Sequence, residues 1–317
     1  MAKRNPLADK LVVLFGGGGF LGQYVAQALL EQGARLRIAS RNPEQAFSLK
    51  PLANLGQLQF ARADIHDRRS VEQVVAGAYG VVNLVGSFDG NLKRLMGDAA
   101  GNLAEAAKEA GARSFVQISA SAADAEGRTE YAKAKALGEH LVRDAFPEAT
   151  ILRPTIVFGQ DDNFINMFAQ IIQFFPVIPV FAPDAPLQLT YVDDVAEAVA
   201  IALPDPDEHG GRTYELGGPE RPTMMEINQR IAQAQRRKRT FLPMPDPVSS
   251  AFAWLPGTPM GRDQWLMLKG GEVISGVHPG FAELGIEPKP LDLFLDKWMT
   301  PYRRHGRFAD KDMGGAY

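Results

Sequence analysis

The sequence predicts an α/β protein with a doubly wound parallel sheet and a smaller α/β lobe in its C-terminal part. Three observations support this prediction: short apolar runs alternate with helical patterns, a glycine-rich turn follows the first run, and the alternation ends after Pro154. Strands that alternate with helices form crossover units, which build a parallel sheet with helices on both faces. A chain of 317 residues, of which 45% are apolar, is long enough to form such a core.

The strands are expected at short, continuous apolar runs, which are typical of strands buried on both faces. These runs cover residues 11–15, 36–39, 58–61, 80–84, 114–118 and 150–152. The helical patterns that separate the runs cover residues 20–32, 43–50, 68–76, 91–110 and 129–145. The first half of the chain therefore predicts strands joined by helical crossovers.

The pattern becomes less regular after Pro154, where proline and glycine are more frequent. We expect a helix at residues 195–203 that is preceded by two acidic residues, Asp193 and Asp194. A helix cap and a surface charge explain this pair, and a paired-carboxylate site is the alternative.

Further elements of the second half are a strand at residues 213–216 and a helix at residues 223–235. Apolar and aromatic side chains precede them and are expected to form the core of the smaller lobe, with a lipophilic tunnel as the alternative. These side chains are Ile165, Phe168, Ile172, Phe175 and Phe181.

Three glycines at three-residue spacing, Gly16, Gly19 and Gly22, lie between the first apolar run and the first helical pattern. Glycine permits a sharp turn and the close approach of a bulky group because it lacks a Cβ. The amides at the start of the helix, where Phe20 and Leu21 lie, carry a partial positive charge that suits a pyrophosphate. The turn therefore predicts a dinucleotide-binding Rossmann domain, and a tight turn without a ligand is the alternative.

The domain organisation follows from these patterns. We expect a dinucleotide-binding domain at residues 1–154 that also receives the segment 187–217. Residues 155–186 and 218–300 are expected to form the smaller lobe, for a substrate or for an interaction. Residues 301–317 form a polar tail that is expected to be loosely held.

The second strand indicates which nicotinamide cofactor is bound. In the Rossmann fold an acidic side chain at the end of this strand binds the adenosine ribose, whereas here the strand ends in Ser40 and Arg41. Arg41 offers a planar cation suited to a 2′-phosphate, so NADP is expected, with NAD as the alternative. Asp64, followed by Ile65 after the third strand, is expected to accept from the adenine amine; an N-cap role for Asp64 is the alternative.

A candidate catalytic group lies on the helix predicted at residues 129–145. Tyr131 and Lys135 are four residues apart, so both side chains lie on one face of that helix. An ammonium near a phenol stabilises the phenolate and makes proton exchange easier near neutral pH. Ser119 and Ser121 follow the fifth strand, where a hydroxyl would hold a substrate carbonyl.

With these motifs the chain resembles the extended or atypical branch of the short-chain dehydrogenase/reductase superfamily over about residues 10–235. Besides the glycine turn, the matching pieces are Asp64, Asn83-Leu84-Val85-Gly86, Ser121, Tyr131, Lys135 and Leu152-Arg153-Pro154. The resemblance implies that Tyr131 is the proton donor or acceptor, Lys135 its activator and ribose anchor, and Ser121 the carbonyl clamp. It also implies that the nicotinamide lies near Ser119, the segment from Asn83 through Val85 to Gly86, and the segment from Pro154 to Ile156.

More narrowly, the chain resembles the NAD(P)-binding accessory subunits of respiratory complex I and their bacterial relatives, a group linked to quinone biosynthesis. The motif from Phe158 to Phe164 belongs to this resemblance. Several members of the group have lost the catalytic residues, whereas this chain keeps Ser121, Tyr131 and Lys135.

Three functions follow as hypotheses. The first is an NADP-dependent oxidoreductase acting on a small or lipophilic carbonyl or alcohol, tied to complex I or to quinone metabolism. The second is a cofactor-bound, non-catalytic subunit with complex I subunits as partners, and the third is a nucleotide-sugar epimerase or dehydratase. The sequence leaves open whether the protein is an enzyme and favours the first hypothesis.

Composition limits the remaining classes. The net charge of −3 gives no argument for a nucleic-acid partner, and without cysteine the chain has no disulfide or thiolate chemistry. The five histidines show no metal-ligand spacing, so no metal site is expected. No signal peptide or apolar run of membrane-spanning length is seen, so we expect a cytoplasmic protein, with peripheral binding to the inner face of the membrane as the alternative. The basic run 236–239 is expected to be a solvated helix end or loop, with an anionic partner as the alternative.

Overall fold

The computed structural model describes residues 5–253 and 261–304, so part of the expected polar tail, residues 305–317, lies outside the described residues. The chain divides into two compact units. Unit 1 comprises Met1–Thr155, Val192–Gly217 and Ile274–Pro288, and unit 2 comprises Ile156–Tyr191, Gly218–Val273 and Lys289–Tyr317.

The strands follow the chain in this order: β1 (Leu11–Phe15), β2 (Arg35–Ser40), β3 (Leu58–Arg62), β4 (Gly80–Asn83), β5 (Ser114–Ile118), β6 (Thr150–Pro154), β7 (Val157–Phe158), β8 (Val177–Val180), β9 (Thr190–Tyr191), β10 (Thr213–Leu216) and β11 (Thr240–Pro243). The α-helices are α1 (Phe20–Glu31), α2 (Arg68–Val75), α3 (Ala99–Glu109), α4 (Glu130–Ala145), α5 (Asn163–Phe174), α6 (Val192–Ala202), α7 (Pro206–His209), α8 (Met224–Ala234), α9 (Asp246–Ala253), α10 (Arg262–Gly270) and α11 (Asp292–Trp298). Pro43–Leu52, Ala282–Leu284 and Thr300–Tyr302 form 3-10 helices, and Lys93–Asp98 forms a π-helical turn that continues into α3.

Unit 1 is built on one sheet, which within residues 5–253 and 261–304 has seven strands in the order β10-β6-β5-β4-β1-β2-β3. Every neighbouring pair of strands in it is parallel. The chain order reverses between β1 and β4, so a crevice opens where the carboxyl ends of these two strands diverge. The predicted fold class, an α/β protein with a doubly wound parallel sheet, is confirmed.

The sheet is held by continuous apolar packing. Val13, Phe15 and Leu103 belong to a buried cluster that joins the sheet to α2 and α3. Helix α1 buries a face of small and branched side chains and ends at Gly33, whose positive φ of 85° is the left-handed geometry that commonly closes a helix. The apolar runs predicted as strands largely match the observed strands, because a strand that is buried on both faces needs apolar residues throughout.

Unit 2 has a separate core. Its strands form two short parallel pairs, β8 with β11 and β7 with β9. Helices α5, α8 and α11 contribute Ile172, Ile231 and Leu295 to one buried cluster. The start of α8 is fixed by a capping box in which Thr223 and Glu226 bond to each other's backbone amides.

The structure corrects three local predictions and adds one helix. The segment predicted as a helix at residues 43–50 is a 3-10 helix over Pro43–Leu52, and Pro51 inside it has no backbone N–H to donate. The helix predicted at 91–110 begins with the π-helical turn. Helix α5, which Asp162 caps, was not predicted. Helix α6 begins at Val192, so Asp193 and Asp194 lie in its first turn rather than before it.

Candidate functional site

The glycine turn between β1 and α1 is closed so tightly that side chains do not fit. Gly16 has a positive φ of 83°, and a Cβ there would lie 3.2 Å from the backbone carbon of Leu84. A Cβ on Gly22 would lie 2.4 Å from the Gly16 carbonyl oxygen, so α1 starts directly against the turn. Gly19 is the N-cap of α1, and no side chain caps this helix end. The turn therefore leaves space for an external group at the helix N-terminus.

A cleft of about 680 Å³ opens in front of this turn and lies within unit 1. Gly16 and Gly19 line it on one side, and Val85 and Gly86, in the loop after β4, line it on another. The cleft lies at the carboxyl ends of the strands, where ligands of open α/β sheets bind.

The far end of the cleft is lined by residues that follow β2 and β3. Arg41 is exposed and lines the wall together with Ser40, whose hydroxyl accepts from the Asn42 amide at 3.1 Å. Asp64 and Ile65 line the opposite part. The cleft thus brings together seven of the residues predicted to bind the cofactor.

Asp64 does not cap a helix. Helix α2 has Asp67 as its N-cap, which accepts from the Arg69 amide at 3.1 Å. The Asp64 carboxylate instead accepts from the His66 amide at 3.0 Å, which orients it within the loop that lines the cleft. The N-cap alternative for Asp64 is therefore wrong.

Other predicted cofactor residues support the cleft instead of lining it. Phe20 and Leu21 form the first turn of α1, and Gly22 packs beneath the glycine turn. Pro154 ends β6, and its carbonyl accepts from the Ser121 amide at 2.9 Å. Their contacts with a cofactor stay predictions, as do those of Ile156, which begins unit 2.

Sequence reasoning missed the part of the cleft wall that follows β4. Ser87, Asp89, Asn91 and Arg94 all line the cleft, and Arg94 adds a second cation to it. Arg94 belongs to the π-helical turn, a geometry that is frequent at functional sites. The prediction of a regular helix from residue 91 did not include this wider π-helical turn.

The candidate catalytic pair lies on α4, whose N-cap is Thr129. The Tyr131 ring stacks on Phe88, with ring centroids 4.6 Å apart and planes 18° apart. Lys135 Nζ lies 5.8 Å from the centre of the Tyr131 ring and donates to the Ile118 carbonyl at the end of β5, at 3.1 Å. This side chain points to the cleft wall, because a Cβ on Gly86 would lie 3.6 Å from Nζ.

Burial lowers the pKa of Lys135 from 10.5 to about 8, and the nearby carboxylate of Glu139 opposes this shift. The ammonium form is therefore only moderately favoured at neutral pH. A lysine that exchanges its proton within about two pH units of neutrality is typical of functional sites.

Glu139, one turn beyond Lys135, is the centre of a buried polar cluster that the sequence reasoning did not identify. Its carboxylate accepts from Arg153 Nε at 2.8 Å and from Arg153 Nη2 at 2.6 Å, and it also accepts from the Ser119 hydroxyl. The bond to Glu139 raises the pKa of Arg153. Ser119 is therefore committed to Glu139, and a role of Ser121 toward a substrate stays a prediction.

Helix α4 is fixed against the cleft wall by contact between backbones. A Cβ on Gly138 would lie 2.1 Å from the carbonyl oxygen of Met96, which is in the π-helical turn. Tyr131 packs on the buried cluster of Leu92, Met96 and Ala134 that joins the two elements. The position of Tyr131 thus depends on the same turn that lines the cleft.

The motif from Phe158 to Phe164 has a structural role in unit 2. Asp162 caps α5 by accepting from the Ile165 amide at 2.6 Å, and it also accepts from the Gly159 amide at 2.9 Å. Burial raises the pKa of Asp162, against the effect of these backbone bonds. The motif therefore explains where α5 begins.

Among residues 5–253 and 261–304, no group of three or more acidic, histidine or cysteine side chains is arranged to hold a metal ion. Over the same ranges, no helix is both long enough and apolar enough to span a membrane.

The arrangement fits a dinucleotide. A Cβ-free turn at a helix N-terminus, two cations and an elongated cleft provide places for a pyrophosphate and an adenosine. Lys135 approaches the part of the cleft wall that contains Gly86, and its contact with a ribose stays a prediction.

Comparison with known proteins supports this interpretation. The model of the NAD dependent epimerase/dehydratase family matches residues 12–217. The mitochondrial NADH dehydrogenase (ubiquinone) 1 alpha subcomplex subunit 9 of Mus musculus is 31% identical, over 95% of this chain and 82% of the mouse protein. Ceramide reductase of Caulobacter vibrioides is 29% identical, over 76% of this chain and 75% of that protein.

A solved structure shows the same fold. The NADPH-dependent quinone oxidoreductase of Escherichia coli, complexed with NADPH, aligns with a TM-score of 0.74 at 19% identity. The alignment covers 90% of this chain and 99% of that chain.

Proposed function

The chain belongs to the NAD dependent epimerase/dehydratase family, and from this premise we propose that it is an NADP-dependent oxidoreductase acting on a lipophilic carbonyl or alcohol. Membership of this NAD(P)-binding family confirms the resemblance to the extended short-chain dehydrogenases/reductases. One observation carries the proposal: Tyr131 and a buried Lys135 lie on one helix, and Lys135 reaches toward the wall of the cleft that fits the dinucleotide.

The cleft residues are proposed to bind the cofactor in an extended form. The amides at the start of α1 hold the pyrophosphate, and Arg94 is placed to neutralise part of its charge. Arg41 and Asp64 bind the adenosine end. When bound, the nicotinamide supplies hydride transfer at its C4 carbon.

The chain's own groups handle the proton. Tyr131 gives a proton to the carbonyl oxygen during reduction and takes it back during oxidation. The Lys135 ammonium stabilises the resulting phenolate and is kept in place by the Ile118 carbonyl. Ser121 donates to the same substrate oxygen, and the stacked Phe88 restricts the Tyr131 ring.

The substrate class is inferred from the relatives. Ceramide reductase is named for a lipid, the quinone oxidoreductase for a quinone, and the mouse relative as a subunit of a ubiquinone-linked NADH dehydrogenase. A lipophilic ketone or quinone is therefore the substrate that we propose.

Measurements on the purified protein test the proposal. We expect calorimetry to show heat with NADPH, and NADPH absorbance to fall when long-chain ketones or isoprenoid quinones are added. If NADPH binds tightly but none of the added ketones or quinones oxidises it, the assignment as an enzyme is contradicted. If no nicotinamide nucleotide produces heat, both cofactor binding and the enzyme assignment are contradicted.

The choice of cofactor rests on Arg41 and gives a separate prediction. Arg41→Ala is expected to weaken NADPH binding by about tenfold or more, since a charge-assisted bond contributes roughly 1.5–3 kcal/mol, and to change NADH binding little. Calorimetric Kd values for both nucleotides check it. Arg212→Ala is the control, because Arg212 is also exposed but does not line the cleft. Equal losses for NADPH and NADH in Arg41→Ala would remove the NADP assignment.

A second candidate function is a cofactor-bound subunit of respiratory complex I. It is favoured by the similarity to the mouse subunit, which extends over 95% of this chain. In this role the nucleotide stabilises the fold by mass action, and turnover is not required. The nucleotide-sugar epimerase or dehydratase alternative rests on the family model and on the shared fold of solved epimerase structures.

A further inference from the structure

One edge of unit 2 exposes apolar side chains on a regular face of the β8–β11 pair. Val177 pairs with Thr240, and Pro179 pairs with Leu242. Alternate side chains point to opposite faces of a strand, and Ile178 accordingly lies buried in the core. The opposite face is exposed: Val177 is 50% exposed and Leu242 is 52% exposed.

Two aromatic residues extend this face at the end of α5. Phe174 is 74% exposed and Phe175 is 57% exposed. The expectation that Phe175 belongs to the core of the smaller lobe is therefore wrong, although Ile165 and Ile172 are buried there. Adjacent exposed phenylalanines that continue an apolar strand face form a patch that water solvates poorly.

Cations lie directly beside the apolar face. Arg239 is bound to the end of α5 through bonds from Nε to the Ile172 carbonyl at 2.7 Å and from Nη2 to the Gln173 carbonyl at 3.2 Å. These carbonyls immediately precede Phe174. Lys238, the preceding residue, is exposed.

The cations form a like-charged cluster in space. The pKa of Arg237 is lowered by burial and by the charges of Arg239 and Arg304. Arg237 is held in this cluster by bonds to the Tyr302 carbonyl at 2.9 and 3.2 Å. Like charges gathered on a surface cost free energy unless an anionic partner compensates them.

We propose that this surface, formed by Phe174, Phe175, Val177, Pro179 and Leu242 with Lys238, Arg239 and Arg304, binds an anionic lipid bilayer. We call it the β8–β11 surface. Aromatic and aliphatic side chains enter the boundary between headgroups and acyl chains, while arginine and lysine contact acidic headgroups. A purely polyanionic partner would leave the phenylalanines without a contact, and a neutral apolar partner would leave the cations uncompensated. The proposal therefore favours the anionic-partner alternative for the basic run 236–239 and names an anionic bilayer as that partner.

Co-sedimentation with vesicles tests the proposal on the full-length protein. One vesicle population is phosphatidylcholine alone, and the other contains about 30% phosphatidylglycerol, because surface charge strengthens such binding. We expect the protein to bind the anionic vesicles at least tenfold more tightly than the neutral ones. Binding to anionic vesicles should weaken when the salt concentration is raised.

Two variants separate the contributions. Phe174→Ser with Phe175→Ser, and Lys238→Glu alone, are each expected to weaken binding to anionic vesicles at least fivefold. The controls remove matched groups from unit 1: Leu55→Ser removes a fully exposed leucine, and Arg212→Glu reverses an exposed charge. Thermal unfolding verifies that every variant folds.

Three outcomes would overturn the proposal. The first is absence of vesicle binding by the unmodified protein. The second is equal loss in the control variants, which would indicate non-specific adsorption. The third is formation of a stable dimer by the lipid-free protein that both Phe174→Ser and Phe175→Ser abolish, which would assign the surface to a second copy of this chain.

Discussion

Replacement of Tyr131 by phenylalanine is expected to reduce turnover by about a hundredfold to ten-thousandfold while leaving NADPH binding nearly unchanged. The change removes the only atom of this side chain that exchanges a proton. It keeps the ring that stacks on Phe88 and packs between α4 and the π-helical turn. Steady-state kcat and calorimetric Kd, measured on the same preparations, separate the two effects.

Tyr79→Phe is the matched control for this prediction. The Tyr79 hydroxyl donates to the Pro204 carbonyl at 3.1 Å, and Tyr79 precedes β4 and lies outside α4, the helix that carries the candidate catalytic pair. Its loss should cost about 1 kcal/mol of stability and no activity. If Tyr131→Phe retained more than about a tenth of the turnover, Tyr131 would not be the proton donor.

Replacement of Glu139 by alanine has the second largest expected effect. It leaves the partly buried Arg153 guanidinium without its carboxylate and the buried Lys135 ammonium without a nearby negative charge, which should lower the free energy of unfolding by about 2–3 kcal/mol, somewhat less than for a fully buried pair. Denaturant unfolding measures this loss. Glu130→Gln, on the same helix, is the control, because the Glu130 and Lys133 side chains are both exposed and lie 3.6 Å apart. It should cost less than about 0.5 kcal/mol.

The pH dependence distinguishes a positioning role of Glu139 from a purely structural one. Carbonyl reduction needs protonated Lys135, so kcat/KM is expected to fall as the pH rises through about 8, the pKa of Lys135. Glu139 raises that pKa, so the milder variant Glu139→Gln should move the fall to lower pH. An unchanged pH profile in Glu139→Gln would assign Glu139 to stability alone.

The lowered pKa of Lys135 also determines the direction in which stability changes with pH. The pKa of Lys135 is about 8 in the folded protein and 10.5 ordinarily, so between these values the unfolded chain binds more protons. The contribution of this group to the free energy of unfolding therefore rises with pH across that window. Below pH 8 the full cost of burying the charged Lys135 ammonium lowers the free energy of unfolding.

Much of the sheet could be predicted from the sequence because burial on both faces leaves a continuous apolar run. The run at β1 matched its observed bounds, and so did the run at β5. The glycine turn could also be predicted, because only glycine fits at Gly22, where a Cβ would collide with the backbone. These features depend on neighbours in the sequence.

Features that depend on distant neighbours were not predicted. Phe88 lies in a polar loop, and only the folded chain places it against Tyr131. Glu139 follows Lys135 by four residues, so its spacing places it on the face of Tyr131 and Lys135. Its partners Ser119 and Arg153 are distant in sequence, and only the fold brings them to it. The exposure of Phe175 could not be foreseen either, because apolar sequence alone does not tell which aromatic residues a core will cover.

The contact of Gly138 with the Met96 carbonyl ties catalysis to ligand entry. Met96 belongs to the turn that forms one wall of the cleft, and Gly138 lies two turns along the helix from Tyr131. With no side chain between the two backbones, this wall of the cleft and the helix that carries Tyr131 meet in direct contact. If Tyr131 acts as proposed, a nucleotide that displaces the wall would also displace the phenol, so binding and chemistry would share one contact.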